Sequence, residues 1–309
     1  MIVVCGEALI DMVRNADGTQ RGVPGGGPFN TARGLARLGV PVAFLGHLSA
    51  DRFGRELADL LTADGVSLEY ASVGPEPTTI ALADVDSEGF AEYQFVVKGT
   101  SAPNLTMEML PARLDDGVTC LHIGTLGLVL QPMASTLEEF VNREADGRVV
   151  ILDPNVRIGL EDDTEYRARL EKLMTASTVI KASDTDVAWL YPGSDYTEAA
   201  DLMLAKGVPM VVITLGAEGA FGAHRDLRIH VAAPQVEVVD TIGAGDAFGA
   251  GLLAWLYDHD LVRAEMRLDE EQLRSALDYA CLAAALTCTR KGAEPPWKRE
   301  MAIGAARPD

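Results

Sequence analysis

The residues with the greatest chemical reach lie in Val239–Gly251, V-D-T-I-G-A-G-D-A-F-G-A-G. A β-type run, Val236 to Val239, leads in, and a helix-type run, Ala247 to Tyr257, leads out. The first N–H groups of a helix have no partner within it, and the helix dipole favours an anion there, phosphate above all. Gly243, Ala244 and Gly245 let the backbone approach such a guest closely. Asp246 follows at once, and a fixed negative charge repels phosphate. It is useful where a hydroxyl must lose a proton beside that phosphate, with Asp246 as general base. A cap with turn-forming glycines is the plainer reading of an isolated G-x-G-D. The companions of this stretch tell against it.

Three of those companions follow apolar strand-like runs. Asp153-Pro154-Asn155-Val156-Arg157 offers a carboxylate, an amide and a guanidinium together, and Lys181-Ala182-Ser183-Asp184-Thr185-Asp186 is a second polar cluster. Thr214-Leu215-Gly216-Ala217-Glu218-Gly219 is a Gly-spaced turn. Asp, Asn and Ser are routine turn formers after strands, but three successive clusters before an anion-binding turn are harder to dismiss. Nearer the N-terminus, Asp11 follows the strand Ile2–Cys5, and Pro24-Gly25-Gly26-Gly27-Pro28-Phe29-Asn30 opens a helix ending at Gly39. Asn30 is equally a ligand group or an N-cap.

These residues need a scaffold, and its rhythm is alternating. Strands Val42–Gly46, Cys120–Ile123, Val149–Leu152, Thr178–Ile180 and Met210–Thr214 alternate with helices near 51–63, 131–145, 163–176, 184–190 and 197–205. Further strand-like runs at 220–223, 227–231 and 236–239 precede the opening motif, and 270–289 forms the last long helix. The pattern implies a three-layer α/β sandwich with a mainly parallel central sheet, whose ligands sit at the carboxyl ends of the strands. Thr78–Val85 and Glu92–Val97, with Asp86-Ser87-Glu88-Gly89 between, read as an inserted hairpin, either an edge extension or a lid. Ile80, Leu82, Tyr93 and Phe95 on it could cover the site or pair with a neighbour.

Composition excludes several classes. A net charge of −20 and a pI near 4.6 argue against nucleic acid or anionic membrane as partner. The apolar stretches near 118–130 and 247–257 are too short to span a bilayer, and Glu7 and Asp11 interrupt the first apolar run, so no secretory signal is expected. The four cysteines (Cys5, Cys120, Cys281, Cys288) sit singly, which points to a reducing, cytoplasmic setting. No Gly is followed by Lys, which excludes a P-loop; Gly243-x-Gly245-x-x-x-Gly249 is one residue too long for a dinucleotide fingerprint.

The sequence resembles the ribokinase (PfkB) family of sugar kinases, fructokinases among them, over essentially its whole length. Residues 240–251 match the family's C-terminal signature, and G-G-G-P-F-N-T-A at 25–32 resembles its Gly-Gly signature. The resemblance implies one ribokinase-like domain with a lid from about 12–24 and 76–98. It also implies ATP-dependent transfer of the γ-phosphate to a primary hydroxyl of a small sugar, fructose first. The alternatives are ketodeoxygluconate, a nucleoside, or a non-catalytic sensor, and the last has no use for a base. By the same resemblance Asp246 takes the proton while Gly243, Ala244 and Gly245 hold the phosphate. Asp11, Gly26, Gly27, Asn30 and Arg157 bind sugar, and Ser183, Thr214, Gly216, Gly219, Thr241, Ala285 and Cys288 line the ATP site. Asp153 and Asp186 organise Mg²⁺ through water, K⁺ acts near Asp240 and the 289–292 loop, and a homodimer forms through the lid. The family's Asn-x-x-Glu appears here as Ser183-x-x-Asp186, and Gly27 stands where ribokinases carry Lys, which counts against ribose.

Overall fold

The computed structural model describes residues 1–14, 20–85 and 91–304. Its strands are β1 Ile2–Cys5, β2 Leu9–Arg14, β3 Gln20–Gly25, β4 Val42–Leu45, β5 His47–Ser49, β6 Ser72–Gly74, β7 Ile80–Val85, β8 Ala91–Val96, β9 Cys120–Gly124, β10 Val149–Asp153, β11 Val179–Ser183, β12 Met210–Thr214, β13 Ala220–His224 and β14 Leu227–Val231. Its helices are α1 Gly27–Arg37, α2 Arg52–Asp64, α3 Met133–Glu144, α4 Asp163–Ala176, α5 Asp184–Leu190, α6 Tyr196–Ala205, α7 Ala244–Asp258, α8 Glu270–Cys288 and α9 Lys298–Gly304.

The central sheet has the order β14-β13-β12-β11-β10-β9-β1-β4, parallel from β12 to β4 and antiparallel at β13 and β14. Its strands read as continuous apolar runs because both faces are covered. Successive side chains alternate between the two layers. Ile2, Val4, Val149, Ile151 and Val179 pack with α1, α2, α7 and α8, whereas Val3, Cys5, Val150, Leu152 and Ile180 pack with α3, α4, α5 and α6. The α7 layer is the one that matters for chemistry.

A second sheet, β3-β2-β7-β8, stands apart from the first. The expected hairpin is its β7–β8 pair, antiparallel from Ile80↔Val96 to Val85↔Ala91. Its expected turn, 86–89, lies outside the described residues, as does the side chain of Tyr93. Asp11, expected at the carboxyl end of the core strand β1, lies instead within β2 of this small sheet, paired with Val23 and Ala81.

A second expectation fails at 236–239, which is not a strand. These residues run as irregular chain, with Val238 and Val239 61% and 60% exposed. The β-type residues wall a pocket, and their backbone turns to the end of α8, where the N–H groups of Val239 and Asp240 donate to Cys288 O at 2.8 and 3.2 Å. Tertiary context overrides β propensity here.

Helix α7 is apolar almost all round and packs between α1 and α8. Close approach to α1 depends on Gly34. A Cβ there would stand 2.7 Å from the Ala250 Cβ. One turn earlier on each helix lie Asn30 and Asp246, so the contact that seats the helices also brings those side chains together.

Candidate active site

Asp246 is the third residue of α7, whose N-cap is Gly243 in the left-handed conformation at φ 77°. The Ala244 N–H donates back to Thr241 O at 3.2 Å, so the amides of Gly243, Gly245 and Asp246 are the ones left for an anion. Asn30 Nδ2 donates to Asp246 Oδ2 at 2.9 Å. Asn30 is therefore no N-cap. That position belongs to Gly26, and Asn30 lies buried in the first turn of α1. Its Oδ1 is buried without a partner among the described residues, an acceptor suited to a ligand hydroxyl.

Two cavities meet at Gly245 and Thr214. The polar one, ≈ 380 Å³, is lined by Asp11, Gly26, Gly27, Asn30, Arg157, Gly243, Gly245 and Asp246, so it gathers every expected sugar-binding residue with the expected base. Phe95 reaches it from β8, and Ser183 and Asp186 line it too. The other, ≈ 330 Å³ and mainly apolar, is lined by Thr214, Gly216, Gly219, Thr241, Ala244, Ala285 and Cys288. Ser183 thus faces the polar cleft rather than the pocket shared by the other residues expected around ATP. Asp153 lines neither cavity and lies beneath the cleft floor.

The electrostatics follow from burial. Burial lifts the Asp246 pKa above the usual carboxylate range, and the Asn30 hydrogen bond, then Lys181 and Arg157, hold it back. Asp11 is pushed up to about 6, first by burial and then by Asp246, with Arg157 opposing. Arg157 donates from Nη1 to Asn155 O at 2.9 Å, Asn155 Oδ1 at 2.6 Å and Val156 O at 3.1 Å. Both oxygens of Asp186 are engaged, Oδ1 by the Val156 N–H at 2.7 Å and Oδ2 by the Ser183 N–H at 2.8 Å and Oγ at 2.7 Å.

Lys181 and Glu7 have places here that sequence reasoning did not assign. Lys181 Nζ donates to Asp153 Oδ2 at 2.8 Å, with both side chains buried. It shares the α7 face of β11 with Val179 and reaches under α7, since a Cβ at Gly245 would stand 3.2 Å from Nζ. Burial opposes the lysine charge, but Asp153, Asp246 and Asp186 outweigh it and raise its pKa. The available signal was a charged residue inside a buried strand, which is rare without a partner. Glu7 is 1% exposed, lines the polar cleft, and has its pKa pushed up to about 7, chiefly by burial.

The pattern of the family described as "pfkB family carbohydrate kinase" matches residues 1–299. The chain belongs to the pfkB family of carbohydrate kinases. It is 40% identical over 285 residues to a fructokinase of Rhizobium leguminosarum bv. trifolii, covering 90% of this chain and 87% of that one. A fructokinase of Vibrio alginolyticus is 30% identical over 293 residues, covering 94% and 93%. Among solved structures it resembles the fructokinase of Vibrio cholerae O395 in its fructose, ADP and calcium form, with TM-score 0.87 and 27% identity over 98% and 97% of the chains. It also resembles the aminoimidazole riboside kinase of Salmonella enterica, with TM-score 0.86 and 26% identity over 99% of each. This pfkB kinase is accordingly an ATP-dependent phosphotransferase with an alcohol acceptor and the ribokinase-like fold. Among the described residues no helix is long and apolar enough to cross a membrane.

Asn30 is placed to influence the ionisation of Asp246. Its hydrogen bond favours the charged form of Asp246. Removing it in Asn30→Ala raises the Asp246 pKa further, so a reaction that used Asp246 as its base would need a higher pH. The expected result is an acid limb of kcat displaced to higher pH, measured at saturating substrates. An unmoved limb would dissociate Asn30 from the ionisation of Asp246.

Proposed function

We propose that this kinase transfers the γ-phosphate of ATP to a primary hydroxyl of a small neutral sugar, fructose first among candidates. The observation that carries the reading is the Asn30–Asp246 pair at the seam between the polar cleft and the apolar pocket. A hydroxyl in the cleft meets the base there, and a nucleotide in the apolar pocket directs its terminal phosphate at the Gly243 and Gly245 amides. Transfer then depends on positioning and on neutralising the phosphoryl charge. Glu7, Asp11 and Asp246 make the cleft acidic, and Arg157 spends Nη1 on its own loop, which favours a neutral polyol over a sugar acid. The relatives named above as fructokinases support fructose; the riboside kinase likeness supports a nucleoside as the second reading.

For Mg²⁺ the donor set suits a hydrated ion. Asp153 Oδ1 is buried and without a partner, and no three His, Cys, Asp or Glu side chains converge as direct ligands among the described residues. Asp186 at the cleft wall would hold the ion through its waters, with the buried Asp153 adding its charge from beneath the floor, and the ion would supply charge neutralisation on the phosphates. A K⁺ role belongs near Asp240, whose Oδ2 accepts from the Gly292 N–H at 2.8 Å. A homodimer through the lid would use Val96, 49% exposed on the edge strand β8.

ADP release measured over fructose, other hexoses, ketodeoxygluconate and nucleosides tests the whole reading, with the highest kcat/KM expected for fructose. Release with a nucleoside or sugar acid alone would refute the substrate, and no release with any acceptor would leave a sensor. Asp11→Ala loses a hydrogen bond from a charged group, about 1.5–3 kcal/mol, so the sugar KM should rise on the order of 10–100-fold with the ATP KM held. An unchanged sugar KM would remove Asp11 from the substrate.

A further inference from the structure

Glu7 is a buried carboxylate at the β1–β2 junction, and the phosphoryl-transfer scheme gives it no part. Three donors from two separate segments converge on it. Oε1 accepts from the Gly27 N–H at 3.2 Å and from the Thr125 hydroxyl, and Oε2 accepts from the Gly127 N–H at 3.1 Å. Gly27 opens α1, and Thr125, held at φ 55°, opens the turn after β9. The two segments touch below Asp246. A Cβ at Gly27 would stand 2.4 Å from Thr125 Cγ2 and 3.2 Å from Asp246 Oδ1. A leucine would fill the same space without the cost of burying a carboxylate.

We propose that Glu7 is a positioning residue for phosphoryl transfer: it ties the first turn of α1 to the Thr125 turn, so that Asn30 meets Asp246 at hydrogen-bonding distance. This rests on Asp246 being the base. Glu7 lines the acceptor cleft at its floor and does not line the nucleotide pocket, so its effect falls on the sugar side and on the chemical step.

Glu7→Gln keeps the shape but replaces one acceptor oxygen with an NH₂ group, which must face an N–H or O–H donor. Thr125→Val removes one donor and leaves the carboxylate. Each variant is assayed for kcat, both KM values and Tm, alone and combined with Asn30→Ala. The expected result for Glu7→Gln is kcat reduced on the order of 10–100-fold with the ATP KM within about twofold. Its effect should be less than additive with Asn30→Ala, because both act through one contact. Thr125→Val should move kcat in the same direction by less, and it decides on the same criteria if Glu7→Gln does not fold. A lowered Tm with unchanged kcat, or full additivity with Asn30→Ala, overturns the proposal. Asp246→Asn separates the two failures. If it is inactive while Glu7→Gln is fully active, only the role of Glu7 falls; if it is fully active, the base assignment falls with it.

Discussion

Asp246→Asn is expected to fold as the wild type and to lose turnover by about 10²–10⁴-fold, the usual contribution of a positioned general base. The substitution preserves shape, and an uncharged side chain at this buried site removes a desolvation cost, so stability should not fall. The helix N-terminus and its phosphate-facing amides remain, which keeps the ATP KM near its wild-type value. Steady-state kinetics with fructose and ATP, beside thermal unfolding of both proteins, measure this. A variant within tenfold of wild-type kcat would mean that the proton leaves by another route.

Lys181→Met is expected to have the largest effect on stability. It leaves the Asp153 carboxylate, 2% exposed and with Oδ1 already unpaired among the described residues, without the cation that pairs with it. Breaking a buried pair from one side costs about 3–5 kcal/mol, against about 5–15 kcal/mol for a whole domain. Lys181→Met/Asp153→Leu replaces the pair with apolar groups and should recover most of that loss. Turnover should stay low in the double variant, because the Lys181 charge that favours ionised Asp246 is gone. Urea unfolding of the three proteins checks the prediction. A single variant as stable as the wild type would show that Asp153 is held neutral and needs no partner.

Much of the scaffold could be read from the chain. The helices at 163–176 and 184–190 match α4 and α5 residue for residue, because Asp162 and the Ser183-x-x-Asp186 capping box mark their starts. The same Asp186 shows the limit. The resemblance gives it a metal-organising role, but the groups that engage its oxygens, the Ser183 and Val156 amides, come together only through the way β10 and β11 lie side by side. Val236–Val239 misled in the other direction, since apolar β-branched residues lining a pocket carry the same local signature as a strand.

Local spacing was sufficient for the α/β order, the Gly243–Asp246 turn and the polar strand ends, since each depends on residues a few positions apart. The partners of those groups depend on separations no local pattern spans, such as Asn30 with Asp246 at 216 residues and Glu7 with Gly127 at 120. A buried charge such as Glu7 or Lys181 is visible in the chain only as an interruption of an apolar run. Its role appears when packing removes water and leaves particular donors or acceptors to compensate the charge.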